Sequence, residues 1–174
     1  MSIHIPNTVS RQTYVVMGID PGKTTGIFVI EFSEGATACI GKGDLPLHSK
    51  SSKEERPLPD LYAGLLSVAV RLPAKAIDQI VIEDVVKSGI MNRDKFDQIC
   101  AFTHAMIFAD MLRFEQGSNC LVDIISPEAR KNLSKAGRKA FYRYNNKHTS
   151  SRHTKDALSL VLAWADKAAL KEEG

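Results

Sequence analysis

Long apolar runs are missing from this chain. No uncharged stretch reaches the roughly 18 residues of a membrane span, and the most hydrophobic helical segment, Ile99 to Phe114, is interrupted by His104, Asp110 and Arg113. No transmembrane helix is expected. Met1 to Arg11 offers neither a basic start nor an apolar core, so no secretory signal is expected and the chain is assigned to the cytoplasm. Cysteine is scarce: Cys39, Cys100 and Cys120 have no zinc-site spacing and cannot all pair, which excludes a disulfide framework and fits a reducing compartment. What remains, 174 residues with 44% hydrophobic, fits one soluble domain able to bury about two thirds of its unfolded surface. We expect an N-terminal extension over residues 1–12 and a single domain over residues 13–174.

A second absence is local. Between Arg130 and Lys155 there is no Asp or Glu, whereas nine cations fall there: Arg130, Lys131, Lys135, Arg138, Lys139, Arg143, Lys147, Arg152 and Lys155. The rest of the chain then holds 14 Lys+Arg against 20 Asp+Glu, so the overall net charge of +3 hides a strongly basic segment in an acidic remainder. Phe141, Tyr142 and Tyr144 interleave with the cations, and Gly137, Asn145, Asn146, Ser150 and Ser151 predict a loop-like stretch. Cations neutralise phosphates and aromatic faces stack on bases, so the segment is a candidate nucleic-acid contact. A solvated basic loop is the competing reading.

The order of elements is βββαβαβαα. Tyr14 to Ile19 is a buried strand ending at Asp20, and Pro21-Gly22 turns it into a second strand over Thr24 to Glu31. Gly35 turns into a third over Ala36 to Gly41, and Asp44 to Pro59, with its prolines and Ser/Lys/Glu cluster, reads as a loop. Leu61, Leu65, Leu66, Ala69 and Leu72 recur at helical spacing before Pro73. Ala76 to Val86 is a central strand around Ile80-Val81-Ile82, followed by a long helix from Asn92 to Phe114. Leu121 to Ile125 is a fifth strand, Ser126-Pro127-Glu128 starts a helix, and Thr154 to Lys171 forms the last. This predicts an α/β fold: a mixed five-stranded sheet, a three-strand meander plus two parallel strands, flanked by helices.

Chemistry is expected where elements end in acids. Asp20 closes the first strand, Glu83 the fourth, and Asp156 begins the last helix. If strands one and four are neighbours, Asp20 and Glu83 emerge side by side, and a helix across that edge brings Asp156 to them with His153 three residues away on the same face. Clustered carboxylates raise each other's pKa unless a cation neutralises them. Oxygen ligands with one imidazole suit Mg²⁺ or Mn²⁺, and a pair of such ions stabilises attack at a phosphodiester. Singly, each residue has an ordinary explanation: a turn aspartate, a solvated strand end, a first-turn acid, a surface histidine. The functional reading is joint.

Two motifs are impostors. Gly22-Lys23-Thr24 suggests a P-loop, but position 17 is Met17 rather than the required glycine, and a strand follows instead of a helix. The run Gly18 to Gly26 also looks like the phosphate hairpin of actin-like ATPases, which need two related domains to clamp a nucleotide.

The chain resembles the RuvC-type Holliday junction resolvases of the ribonuclease H-like (retroviral integrase) superfamily. The resemblance rests on Gly18-Ile19-Asp20-Pro21-Gly22 with Thr25-Gly26 behind it, Ile82-Glu83, Ser126-Pro127-Glu128 leading into a basic helix, and His153-x-x-Asp156-Ala157-Leu158; it spans about Tyr14 to Leu170. It implies a ribonuclease H-like fold and crossover junction endodeoxyribonuclease activity: a homodimer binding a four-way DNA junction and making paired symmetric nicks. It further implies two Mg²⁺ or Mn²⁺ ions per site, ligated by Asp20, Glu83 and Asp156, with His153 as a fourth ligand or orienting the attacking water. Lys87, Asn92, Arg93, Lys95 and Phe96 would occupy the region that faces the junction and helps form the dimer. Lys155 would steady the transition state. Relatives carry an aromatic shortly after the glutamate; here Asp84, Val85 and Val86 follow, and Phe96 or Tyr142 would substitute. The basic segment is short, which suits a phage or divergent member. A broader branched-DNA endonuclease and a non-catalytic junction-binding module are the alternatives.

Overall fold

The structure is a computed structural model that describes residues 13–33, 36–47, 64–65, 67–69, 71–72, 77–85, 93–115, 120–149 and 151–172. Its strands are β1 (Thr13–Asp20), β2 (Thr24–Ser33), β3 (Ala36–Pro46), β4 (Gln79–Glu83) and β5 (Leu121–Ile125). Its helices are α1 (Arg93–Glu115), α2 (Pro127–Lys131), α3 (Lys135–His148) and α4 (Arg152–Glu172). Between β3 and β4, residues 64–65, 67–69 and Arg71 are helical, as the leucine spacing predicts, and Leu65 and Leu72 are buried.

The sheet has the order β3-β2-β1-β4-β5. β1, β2 and β3 pair antiparallel, with an irregularity between Val29 and Ile30. β4 runs parallel to both β1 and β5. This is the expected mixed five-stranded sheet, although β3 extends to Pro46, so the start of the expected loop at Asp44 is strand. The remainder of that loop and the expected N-terminal extension lie outside the described residues.

Alternation along the strands divides the core in two. Met17, Ile19, Ile27, Val29, Ile80 and Ile82 face α1 and meet Ala101, Ala105 and Phe108. Val16, Phe28, Ile30 and Val81 face the opposite side and meet Leu158, Val161 and Trp164 of α4. Burial of each such large apolar side chain is worth roughly 1.5–3 kcal/mol. Tyr14 stacks on Trp164 at 5.8 Å between ring centroids, and Trp164 Nε1 donates to Asp123 Oδ2 at 2.9 Å, locking α4 to both β1 and β5.

Two glycines let α4 lie against the sheet. A Cβ at Gly18 would run into the Ala157 carbonyl, and one at Gly26 into the backbone of His153. The glycines of the first motif therefore set the height of the helix that carries His153 and Asp156.

The basic segment departs from its expected loop. Residues 135–148 are the helix α3, capped by Ser134, whose side chain accepts from Gly137 N at 2.9 Å. Ser134 is itself held by Asp166 of α4, its N and Oγ each donating at 2.7 Å. Leu133, Gly137 and Tyr144 are buried at helical spacing, and this periodicity outweighs the turn-forming glycine and asparagines.

Candidate active site and nucleic-acid interface

Register assembles the acids. Ile19 pairs with Ile82, so the next residues, Asp20 and Glu83, leave the sheet together at the same end. Glu83 in turn sits opposite Ile125, after which Ser126 caps α2 by accepting from Ala129 N at 3.2 Å. On the other side, Ser151 and Thr154 cap the start of α4 reciprocally, Ser151 N donating to Thr154 Oγ1 at 3.2 Å and Thr154 N to Ser151 Oγ at 3.1 Å. Ser151 Oγ also donates to Asp44 Oδ1 at 2.7 Å. These ties fix His153 and Asp156 over the strand ends.

The structure brings all four sequence-predicted acids and imidazole together. His153 Nδ1 lies 3.4 Å from Asp20 Oδ2. Burial raises Asp20 above the usual aspartate range; its hydrogen bond with Glu83 lowers it again, Asp156 raises it, and Arg130 and Arg152 lower it. Burial likewise pushes Glu83 up to about 8, aided by its hydrogen bond to Asp20 and the charges of Asp20 and Asp156 and opposed by Arg130.

Arg130 departs from its expected place. Composition groups it with the phosphate-binding cations, but it turns inward, its Nη2 3.3 Å from Glu83 Oε1 and its Nη1 2.5 Å from Asp156 Oδ1. Only 12% of its side chain is exposed. Burial opposes its charge, but the hydrogen bond to Asp156 and the charges of Glu83, Asp156 and Asp20 raise its pKa overall.

With Arg130 bridging the acids, no three His, Cys, Asp or Glu side chains among the described residues form a ready-made metal cage. The donor set nevertheless fits a hard divalent cation. Three carboxylates converge with an imidazole, two of the carboxyls are raised in pKa, and Glu83 Oε2 is buried with no hydrogen-bond partner.

Two cavities flank the cluster. One of about 240 Å³ is lined by Asp20, Glu83, Asp84, Lys95, Gln98 and Pro127. It brings the expected Lys95 beside the acids, and Gln98 with it, a residue that no sequence signal singled out. The other, of about 320 Å³, is lined by Lys131, Arg138, Phe141, Arg152 and Asp156, with Arg130 at its wall.

The remaining cations are on the surface. Lys131, Lys135, Arg138, Lys139, Arg143, Lys147, Arg152 and Lys155 are exposed, and Arg152 Nε is 3.8 Å from Asp156 Oδ2. Of the three interleaved aromatics only Tyr142 is well exposed, at 63%. Tyr144 is a core residue, edge-on to Phe28 and bonded through its hydroxyl to Thr37 Oγ1. Phe96 is 59% exposed near the start of α1. Arg93 opens α1, whereas Lys87 and Asn92 lie outside the described residues. α1 also presents Ile99, Ile107, Met111 and Phe114 to solvent, one apolar stripe at helical spacing.

The sequence matches no family model and no curated protein. Its fold does have solved counterparts. RuvC of Thermus thermophilus in complex with a Holliday junction substrate superposes with a TM-score of 0.68 at 20% identity, covering 91% of this chain and 96% of that one. Another Thermus thermophilus RuvC structure gives 0.64 at 20% identity, covering 90% and 96%. The yeast mitochondrial Holliday junction resolvase Ydc2 gives 0.55 at 16% identity, covering 96% and 84%. The chain has the RuvC-like, ribonuclease H-like fold its motifs imply.

Proposed function

We propose that this chain is a divalent-metal-dependent endonuclease that resolves four-way DNA junctions as a homodimer, a crossover junction endodeoxyribonuclease. The observation that carries the reading is the gathering of Asp20, Glu83, His153 and Asp156 at one end of the sheet beside an exposed cationic helix. Solved proteins of the same fold include RuvC bound to a Holliday junction substrate and a mitochondrial Holliday junction resolvase, which favours this substrate class.

Asp20, Glu83, Asp156 and His153 would hold Mg²⁺ or Mn²⁺, two ions per site. Such ions, when bound, neutralise the scissile phosphate and activate the attacking water. The chain's own residues then have separable tasks. His153 Nδ1, beside Asp20 Oδ2, keeps that carboxylate oriented. Lys131, Lys135, Arg138, Lys139, Arg143 and Lys147 bind backbone phosphates and set the register of the strand, and Tyr142 offers a face to an unstacked base. Arg152, 3.8 Å from Asp156 Oδ2, and Lys155, next to Asp156 in sequence, are exposed on α4, and Lys155 would steady charge that develops at the phosphate. Lys95 approaches from the opposite cavity. Phe96, exposed next to it, takes the junction-wedging place that Asp84 and Val85 leave without an aromatic.

The dimer rests on α1. Phe96, Ile99, Ile107, Met111 and Phe114 are exposed along one face, a stripe that a monomer seldom leaves in water. A second copy of the same stripe is its natural cover, because an isologous contact pairs like with like.

A labelled synthetic four-way junction incubated with Mg²⁺ or Mn²⁺, with cuts mapped on all four strands, tests the reading. Paired symmetric nicks are expected, from a particle of twice the 19.2 kDa chain mass. Equal cutting of forks and flaps would move the assignment to a general branched-DNA endonuclease. Binding without cleavage at any metal concentration would leave a junction-binding module.

A further inference from the structure

Arg130 differs from every other cation of the basic segment. Its eight companions are exposed, whereas its guanidinium is buried against Glu83 and Asp156, acids contributed by β4 and α4. The bridge neutralises charge but leaves hydrogen bonding incomplete. Arg130 Nε is buried without an acceptor, and Glu83 Oε2 is buried without a donor. A buried ion pair whose members each keep an unpartnered atom is poorly repaid for its desolvation, so an exchange that satisfies both sides separately is favoured. The exchange has somewhere to go. Arg130 forms part of the wall of the 320 Å³ cavity that also carries Lys131, Arg138 and Arg152, a set of cations suited to a phosphate.

We propose that Arg130 is an internal counter-ion that holds the acid cluster together in the metal-free protein, and that cation loading releases it into the adjacent cavity to grip a phosphate of the DNA strand. The inference rests on the metal-dependent reading and adds a coupling to it. Because the acids accept the ion only once Arg130 has left, Arg130 lowers the apparent metal affinity according to the fraction of time it is bound. Because the freed guanidinium then binds phosphate, metal and DNA each raise the other's affinity by the same factor. Arg130 is thus a positioning residue, acting through Glu83 and Asp156 before it touches DNA. The geometry of the fork explains an arginine here: two separate nitrogens of one rigid plane reach two carboxylates, a span that the single nitrogen of a lysine does not supply.

The test compares wild type with R130M and R130K in Mn²⁺ calorimetry without DNA, in thermal melting with and without Mn²⁺, and in anisotropy titrations of a plain duplex oligonucleotide. R130M should melt lower than wild type without Mn²⁺, regain the difference on Mn²⁺ addition, and bind Mn²⁺ about five-fold or more tighter, the lower end of ordinary coupling factors. The Mn²⁺-induced gain in duplex affinity should be smaller in R130M than in wild type. R130K, which keeps the charge and loses the fork, should also bind Mn²⁺ more tightly than wild type, and it decides the matter if R130M does not fold. Equal Mn²⁺ affinity in wild type and variant overturns the counter-ion role while leaving the nuclease reading intact. Failure of wild type and variants alike to bind Mn²⁺ overturns both.

Discussion

The acid cluster and the cationic surface lie side by side, and they are built in opposite ways. The acids come from distant parts of the chain: Asp20 from the end of β1, Glu83 from the end of β4 and Asp156 from the first turns of α4, each set by strand register or a helix cap. The cations come mostly from one run, residues 130–155, and most stand in solvent on α3 and its flanks. The difference follows from what each must do. Ligands for a small ion need placement within fractions of an ångström, which only rigid elements supply. A surface that attracts a polyanion needs summed charge, and a mobile side chain serves nearly as well as a fixed one.

The largest effect should come from breaking the acid side. Asp20→Asn keeps the shape of the side chain and removes one charge from the buried cluster. Cleavage of a four-way junction should fall by about 10²- to 10³-fold or more, since a weakened metal site loses several kcal/mol of transition-state charge stabilisation and each 1.4 kcal/mol is tenfold in rate. Junction affinity, read by gel shift in EDTA, should not fall. Loss of binding in step with cleavage would mean that Asp20 supports the fold and not the chemistry.

Breaking the cation side should give a graded loss instead. The triple variant K135A/R138A/K139A removes three exposed charges and leaves the buried core as it is, so thermal stability should hardly change. DNA affinity should drop, and the slope of log K against log salt should flatten by roughly 0.9 for each duplex phosphate that is no longer neutralised. Cleavage at saturating DNA should stay near wild type. An unchanged salt slope would remove α3 from the DNA path. Together with Asp20→Asn, this separates a site that fails when one atom is wrong from a surface that fails in proportion.

The same contrast explains what is legible in the sequence. The apolar, β-branched runs of β1 and β4, each closed by an acid, announce a buried parallel pair, and Pro21-Gly22 announces the turn. Those signals are enough to place Asp20 beside Glu83 and to bring His153 and Asp156 across them. The cationic region is legible only as composition, and composition does not say which way a side chain points. Gly137 and the two asparagines suggest a loop, although Leu133, Gly137, Ala140 and Tyr144 already have helical spacing. Tyr144 neighbours cations in sequence and so resembles a base-stacking face, yet on a helix it shares the inward face with Gly137, which lies against Asp166 of α4, and itself meets Phe28 of β2. Arg130 looks like one more surface charge because the pull of Glu83 and Asp156 on it depends on a packing that no local window contains.

The finest separation of the two regions is in their response to pH without metal. Glu83 is raised from 4.5 to about 8 by burial and by its hydrogen bond and charge contacts with Asp20, with Asp156 adding to the rise and Arg130 opposing it. A carboxyl raised on folding binds its proton more tightly in the native state. It therefore stabilises the fold fully below about 4.5 and surrenders that contribution as pH climbs toward 8. Asp20 is raised as well and adds to the same trend. In EDTA the melting temperature should decline from pH 5 to pH 8, at about 2–4 °C per kcal/mol for a chain of this size. Glu83→Gln, which cannot ionise, should flatten the decline and melt above wild type at pH 8, while K135A/R138A/K139A should keep it. A wild-type melting temperature that rises over this range would mean that folding does not raise the Glu83 carboxyl.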